Sequence, residues 1–189
     1  MALVHRWGDS LAYSQGVRQA TDIETIAALF PGCVSVEKTA LAMDKSGVDY
    51  TVTLRRGAVV LVDAKTRRIG VSRYWQNGTP ELALEIWSIR PTSGANGKIG
   101  WTLSELSPVD YILFTFAPAD CKRVFLYPFQ TLRLAFRRFL PTWKADGYKL
   151  DVQTSEDSGR RWQSEALFVP EPVVWAALRS VSVSSIAAD

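Results

Sequence analysis

The chain has 189 residues and a formal net charge of +3, and 47% of its residues are hydrophobic and 22% are charged. These values are typical of a globular protein with one domain, whose hydrophobic core is large enough to be stable without disulfides or structural metals. No run of about 18 apolar residues occurs, so we expect no membrane span, and no N-terminal segment resembles a signal peptide. We therefore expect the protein to reside in the cytoplasm.

Zinc binding and histidine-dependent catalysis find little support in the composition. The two cysteines, Cys33 and Cys121, stand far apart, no CxxC motif occurs, and the single histidine is His5. A zinc site is therefore not expected. A Ser-His-Asp or Cys-His site is not expected either, because His5 falls in an irregular leader over residues 1–17.

The first half of the chain is predicted to contain one helix followed by a series of strands. Thr21 or Asp22 can cap a helix that ends at Pro31-Gly32, and its apolar stripe consists of Ile23, Ile26, Ala27 and Phe30. Strands are then predicted at about 33–37, 48–54, 58–65 and 82–89. The polar, turn-rich segments at 67–80 and 91–100 are predicted loops.

The second half is predicted to contain a hairpin, a helix and weaker elements. Residues 111–116 form an apolar strand with 123–127 as its hairpin partner. A helix is predicted from Pro128 to Pro141, on the spacing of Phe129, Leu132, Phe136 and Phe139. Further elements are edge strands at 148–152 and 165–169, a short helix at 173–178 and a frayed end from Ser180.

This order of elements predicts an α/β or α+β fold with a central mixed β-sheet flanked by helices. We expect a single domain over residues 1–189, with a core at about 18–140 and a C-terminal extension at about 141–189.

The residues with the strongest chemical signal lie between Gly47 and Arg67, in the sequence GVDYTVTLRRGAVVLVDAKTR. Asp49 stands near the start of the first strand, and the second strand runs through apolar residues into Asp63-Ala64-Lys65. Alternate side chains of a strand share a face, so Asp63 and Lys65 point the same way. A carboxylate and an ammonium at the end of a buried strand are costly without partners, and with Asp49 they could hold a divalent cation.

This pattern of helix, strand, strand with Asp, and strand ending in Asp-x-Lys resembles the PD-(D/E)XK, or restriction-endonuclease-like, nuclease superfamily over about Asp22 to Ser88. Val48 stands where the motif has proline. The resemblance implies a restriction-endonuclease-like core, Mg²⁺ as cofactor with Mn²⁺ able to substitute, and cleavage of phosphodiester bonds. It implies that Asp49 and Asp63 bind the metal and that Lys65 orients or deprotonates a water and neutralises charge in the transition state.

Two further acids are secondary metal candidates. Glu24 lies in the first turn of the predicted helix, where a favourable interaction with the helix dipole is the alternative to metal binding. Glu85 stands within the apolar segment LALEIWS, where a metal or Lys65 could be its partner and exposure at a sheet edge is the alternative.

Basic and aromatic residues near the motif predict contacts to nucleic acid. Arg67, Arg68 and Arg73 follow the Asp63 strand and could bind phosphates, while Trp75 and Trp101 could stack on bases. The leading hypothesis is a Mg²⁺-dependent nuclease of phage or mobile-element type with DNA as its substrate. RNA is the less favoured alternative substrate, and a homodimer is left open.

Two alternatives to the nuclease remain. One is a catalytically inactive nuclease-fold module that binds nucleic acid or inhibits a protein partner. The other is a protein-binding domain that uses its aromatic surface.

Overall fold

The structure is a computed structural model that describes residues 4–6, 23–40, 46–68, 75–76, 78–91, 96–117, 123–157 and 160–186. The fold is mixed α+β, as predicted, but it contains two β-sheets where one central sheet was expected. None of the helices in these ranges is long and apolar enough to cross a membrane.

The elements are as follows in chain order. The strands are β1 (Val4–Arg6), β2 (Cys33–Lys38), β3 (Tyr50–Leu54), β4 (Val59–Arg68), β5 (Trp75–Gln76), β6 (Thr79–Ile89), β7 (Lys98–Ile99), β8 (Tyr111–Ala117), β9 (Arg123–Pro128), β10 (Leu150–Asp157) and β11 (Arg160–Pro170). The helices are α1 (23–29), α2 (Phe129–Ala145) and α3 (Glu171–Ile186), with 3-10 turns at Arg55–Gly57 and Trp101–Leu103.

The described residues form two compact units. The first lies within Met1–Ser10, Val71–Glu105 and Thr131–Asp189, and the second within Leu11–Gly70 and Leu106–Gln130. A single domain over residues 1–189, with the core and extension given above, stays a prediction.

The first unit contains a sheet with the order β1-β10-β11-β6-β5, and β7 also pairs with β6. Strands β10 and β11 were predicted to be short edge strands. Instead β10 lies between β1 and β11, and β11 lies antiparallel to both β10 and β6. Its residues Leu167, Phe168 and Val169 are almost completely buried, which explains why this strand occupies an interior position.

Both C-terminal helices are longer than predicted. Helix α2 continues past Pro141 to Ala145 because Trp143, which is 3% exposed, stacks on the ring of Phe139 at 5.8 Å and contacts that of Phe136 at 6.1 Å. This packing holds one more turn although proline removes a helical hydrogen bond. Helix α3 extends to Ile186, beyond the residue where fraying was predicted.

The second unit contains a sheet with the order β2-β3-β4-β8-β9, in which β4 and β8 are parallel and the other pairs antiparallel. The predicted β8–β9 hairpin and the helix over 23–29 are confirmed. Helix α1 covers one face of the sheet, and the shared core consists of Ile26, Phe30, Tyr50, Val52, Val62, Ala64 and Leu113. The residues before α1, including the predicted caps, lie outside the described ranges.

Candidate metal and catalytic site

Strand register brings Asp49 and Asp63 to the same place in the second unit. Tyr50 pairs with Val62 across β3 and β4, and the Asp49 N–H donates to the Val62 carbonyl at 3.0 Å. The ladder thus continues one residue beyond β3, and Asp49 stands beside Asp63. Because Val62 and Ala64 belong to the core under α1, strand alternation directs Asp63 and Lys65 to the opposite face.

Hydrogen bonds connect these residues closely. The Lys65 ammonium lies 2.7 Å from Oδ1 and 2.7 Å from Oδ2 of Asp63. The Ala64 N–H donates to Oδ2 of Asp49 at 2.8 Å, and the carboxyl groups of Asp49 and Asp63 also interact with each other. The structure therefore brings Asp49, Asp63 and Lys65 together around the Asp63-Ala64-Lys65 segment.

Both carboxyl groups are buried, and this burial sets the electrostatics. Asp49 is 8% exposed and Asp63 is 3% exposed. Burial, followed by the negative charge of Asp63, raises the pKa of Asp49 above its ordinary value of 3.8, although the Ala64 N–H and the Lys65 charge act in the opposite direction. The charged form of Asp49 is therefore disfavoured at this position, and an added cation would favour it.

The donor set fits a hard divalent cation with few protein ligands. Mg²⁺ commonly uses one or two carboxylates together with water and phosphate oxygens, and Asp49 with Asp63 supplies two. Within the described ranges, no three or more His, Cys, Asp or Glu side chains group closely enough to hold a metal. In the general pattern for Mg²⁺, water and phosphate oxygens supply the ligands beyond such a pair of carboxylates.

The secondary metal candidates have other surroundings. Glu24 is exposed on α1. Glu85 belongs to the first unit, and its Oε2 accepts hydrogen bonds from Ser88 Oγ at 2.7 Å and from the Trp101 N–H at 3.0 Å. Its carboxylate therefore anchors the 3-10 turn at Trp101–Leu103, a partner that the sequence pattern did not suggest.

The candidates for nucleic-acid contact are only partly described. Arg67 is half-buried on β4 and shares the face of Asp63 and Lys65 by strand alternation. Trp101 is half-buried in the first unit. The side chains of Arg68 and Trp75 and the whole of Arg73 lie outside the described part of the chain.

Two acids that the sequence pattern did not single out have informative environments. Asp110 is exposed, and its Oδ2 accepts a hydrogen bond from the Leu61 N–H of β4 at 2.8 Å. Glu81 is 7% exposed, burial raises its pKa, and its Oε2 has no hydrogen-bond partner among the described residues. The sequence feature that could have identified Glu81 is a charged residue at the start of the apolar run of β6.

No protein-family model, curated protein or solved structure matches this chain.

Proposed function

We propose that this chain is a Mg²⁺-dependent nuclease that hydrolyses phosphodiester bonds of DNA, with a restriction-endonuclease-like core and of phage or mobile-element type. One observation carries the proposal. Two buried carboxylates from neighbouring strands meet beside an ammonium, through the 2.7 Å contacts of Lys65 with Asp63 and the 2.8 Å hydrogen bond from Ala64 to Asp49.

Each residue type has a chemical reason to be present. Asp49 and Asp63 would hold the metal, and Asp49 is already oriented by a backbone N–H. When bound, Mg²⁺ supplies polarisation of the scissile phosphate and lowers the pKa of a coordinated water. The Lys65 ammonium would stabilise the negative charge that develops on the phosphate oxygens, and Arg67, further along the same face of β4, would bind a neighbouring phosphate.

The test is a cleavage assay with matched variants. Purified protein is incubated with supercoiled plasmid or single-stranded DNA in the presence of Mg²⁺, Mn²⁺ or EDTA. We expect cleavage with either metal, none with EDTA, and a loss of at least about 100-fold for Asp63→Asn, since the substitution removes a charged metal ligand.

Asp110→Asn is the control, because Asp110 also accepts a backbone hydrogen bond from β4 but is exposed and lies outside the carboxylate pair. We expect it to cleave like the wild type. Cleavage that is equally fast in wild type and Asp63→Asn would refute the nuclease.

A specific observation favours the inactive-module alternative as second candidate. Both carboxylates already have structural contacts, since Asp49 accepts a backbone hydrogen bond and Asp63 pairs with Lys65. Such a module would bind DNA with an affinity that falls as salt rises, without cleavage in any metal. Inhibition of a protein partner would instead leave DNA unbound at low salt.

A further inference from the structure

The ammonium of Lys65 lies against the carboxylate of Asp63. Its Nζ atom lies 2.7 Å from each of the two carboxylate oxygens, so it engages the whole carboxylate. The side chain of Asp63 is 5% exposed and that of Lys65 is 24% exposed. The contact thus compensates a buried negative charge by means of a flexible side chain that reaches solvent.

We propose that Lys65 serves as an internal, displaceable cation that competes with the divalent metal for Asp63, and that metal binding requires its ammonium to leave this position. The inference rests on the proposed function, since it concerns the same metal site. Two cations on one carboxylate repel each other, and the repulsion is strong where burial lowers the effective dielectric constant. The ammonium and the metal therefore exclude each other from the position seen in the structure.

The two carboxylates have different roles in this exchange. Asp49 is held by the Ala64 N–H at 2.8 Å, a contact to the backbone that does not depend on Lys65. Asp63 is held by Lys65 and changes partner when the metal arrives. The carboxylate of Asp49 is therefore already in place before metal binds. In the absence of metal, the ammonium of Lys65 compensates the buried negative charge of Asp63.

Measurement of metal affinity without DNA tests the proposal directly. Free Mn²⁺ is followed by electron paramagnetic resonance while wild type, Lys65→Met and Asp63→Asn are titrated. We expect Lys65→Met to bind Mn²⁺ about tenfold more tightly, which corresponds to about 1.4 kcal/mol, and Asp63→Asn to lose this binding. Unchanged or weaker Mn²⁺ binding by Lys65→Met would overturn the inference.

Two further variants separate the contact from a general charge effect. Arg67→Met removes a positive charge two residues along on the same face of β4, and we expect a change in affinity of about twofold or less. Lys65→Arg keeps the charge and the ability to bind both oxygens, so we expect affinity close to that of the wild type. Equal tightening by Arg67→Met and Lys65→Met would contradict a role for the contact itself.

Thermal unfolding tests the proposal even if Lys65→Met is less stable than wild type. Loss of the ammonium leaves Asp63 uncompensated, so Lys65→Met should have a lower Tm than wild type without metal. Mn²⁺ should then raise the Tm of Lys65→Met more than that of wild type, because it binds the folded variant more tightly. An equal or smaller rise in Lys65→Met would count against the proposal.

The outcomes distinguish this inference from the proposed function. If the wild type cleaves DNA with Mg²⁺ but Lys65→Met gains no Mn²⁺ affinity, the displaceable-cation inference fails and the nuclease stands. If neither wild type nor any variant cleaves DNA, and if Asp63→Asn binds Mn²⁺ as tightly as wild type does, both the displaceable-cation inference and the nuclease proposal fail.

Discussion

Replacement of Asp49 by Asn should separate what this carboxyl group does for stability from what it does for chemistry. Asn retains an oxygen that can accept the hydrogen bond from the Ala64 N–H, which the wild type makes at 2.8 Å. It removes the charge that burial and Asp63 disfavour. We therefore expect metal-free Asp49→Asn to be at least as stable as wild type at neutral pH, and the proposed nuclease function predicts that this variant does not cleave DNA.

Comparison with Asp49→Ala gives the contribution of the Ala64–Asp49 hydrogen bond to the free energy of unfolding. Alanine removes the acceptor and leaves the N–H of Ala64, a residue that is 1% exposed, without that partner. A buried donor that loses its partner costs about 1–3 kcal/mol. Asp49→Asn should accordingly exceed Asp49→Ala in free energy of unfolding by about 1–3 kcal/mol, because only the amide preserves the hydrogen bond.

The pH dependence follows from the sign of the pKa change. The pKa of Asp49 is raised in the folded protein above the ordinary 3.8, so its stabilising contribution is complete below that value and is lost as pH rises through the folded pKa. The Asn side chain of Asp49→Asn does not titrate in this pH range. Its stability advantage over wild type should therefore be small near pH 4 and grow towards neutral pH.

Urea unfolding in EDTA at several values between about pH 4 and about pH 8 measures this difference. Asp110→Asn is the matched control, because exposed Asp110 also accepts a β4 backbone hydrogen bond at 2.8 Å, and we expect no advantage that grows with pH. If Asp49→Asn is less stable than wild type at neutral pH, or if its advantage does not grow with pH, the electrostatic account of the pair is wrong.

Three further predictions concern the proposed DNA contacts and the fold. Arg67→Ala combined with Arg73→Ala should weaken DNA binding and reduce the slope of log affinity against log salt by about 1 for each phosphate that the variant no longer binds; an unchanged slope in binding titrations would place DNA elsewhere. Gly100→Ala should lower the free energy of unfolding by about 1–3 kcal/mol, because its Cβ would lie 2.6 Å from the Glu85 carbonyl carbon; a wild-type urea midpoint would contradict this. Trp143→Ala should cost about 3–5 kcal/mol, measured by urea unfolding against Leu134→Ala, which is 56% exposed in the same helix and should change stability by less than about 0.5 kcal/mol.

Sequence patterns predicted individual elements well where the signal was local. Helix α1 and the β8–β9 hairpin could be recognised because each depends on residues that are near one another in the chain. Of the predicted apolar stripe, Ile26 and Phe30 are buried, whereas Ile23 is 39% exposed. The end of α2 was predicted wrongly at Pro141, since the local preference of proline was outweighed by the packing of Trp143 on Phe139. The position of β11 inside a sheet was missed because its neighbour β6 is remote in sequence.

In the candidate site, too, the sequence predicted some features and only the tertiary structure decided others. That Asp63 and Lys65 share a face could be read from the sequence, because two-residue alternation is a property of the strand backbone. Only the tertiary structure decided that Asp49 stands beside Asp63, that Ala64 donates to Asp49, and that Glu85 accepts a hydrogen bond from the Trp101 N–H. Strand register and long-range hydrogen bonds arise from the packing of whole elements, and local residue preferences do not encode them.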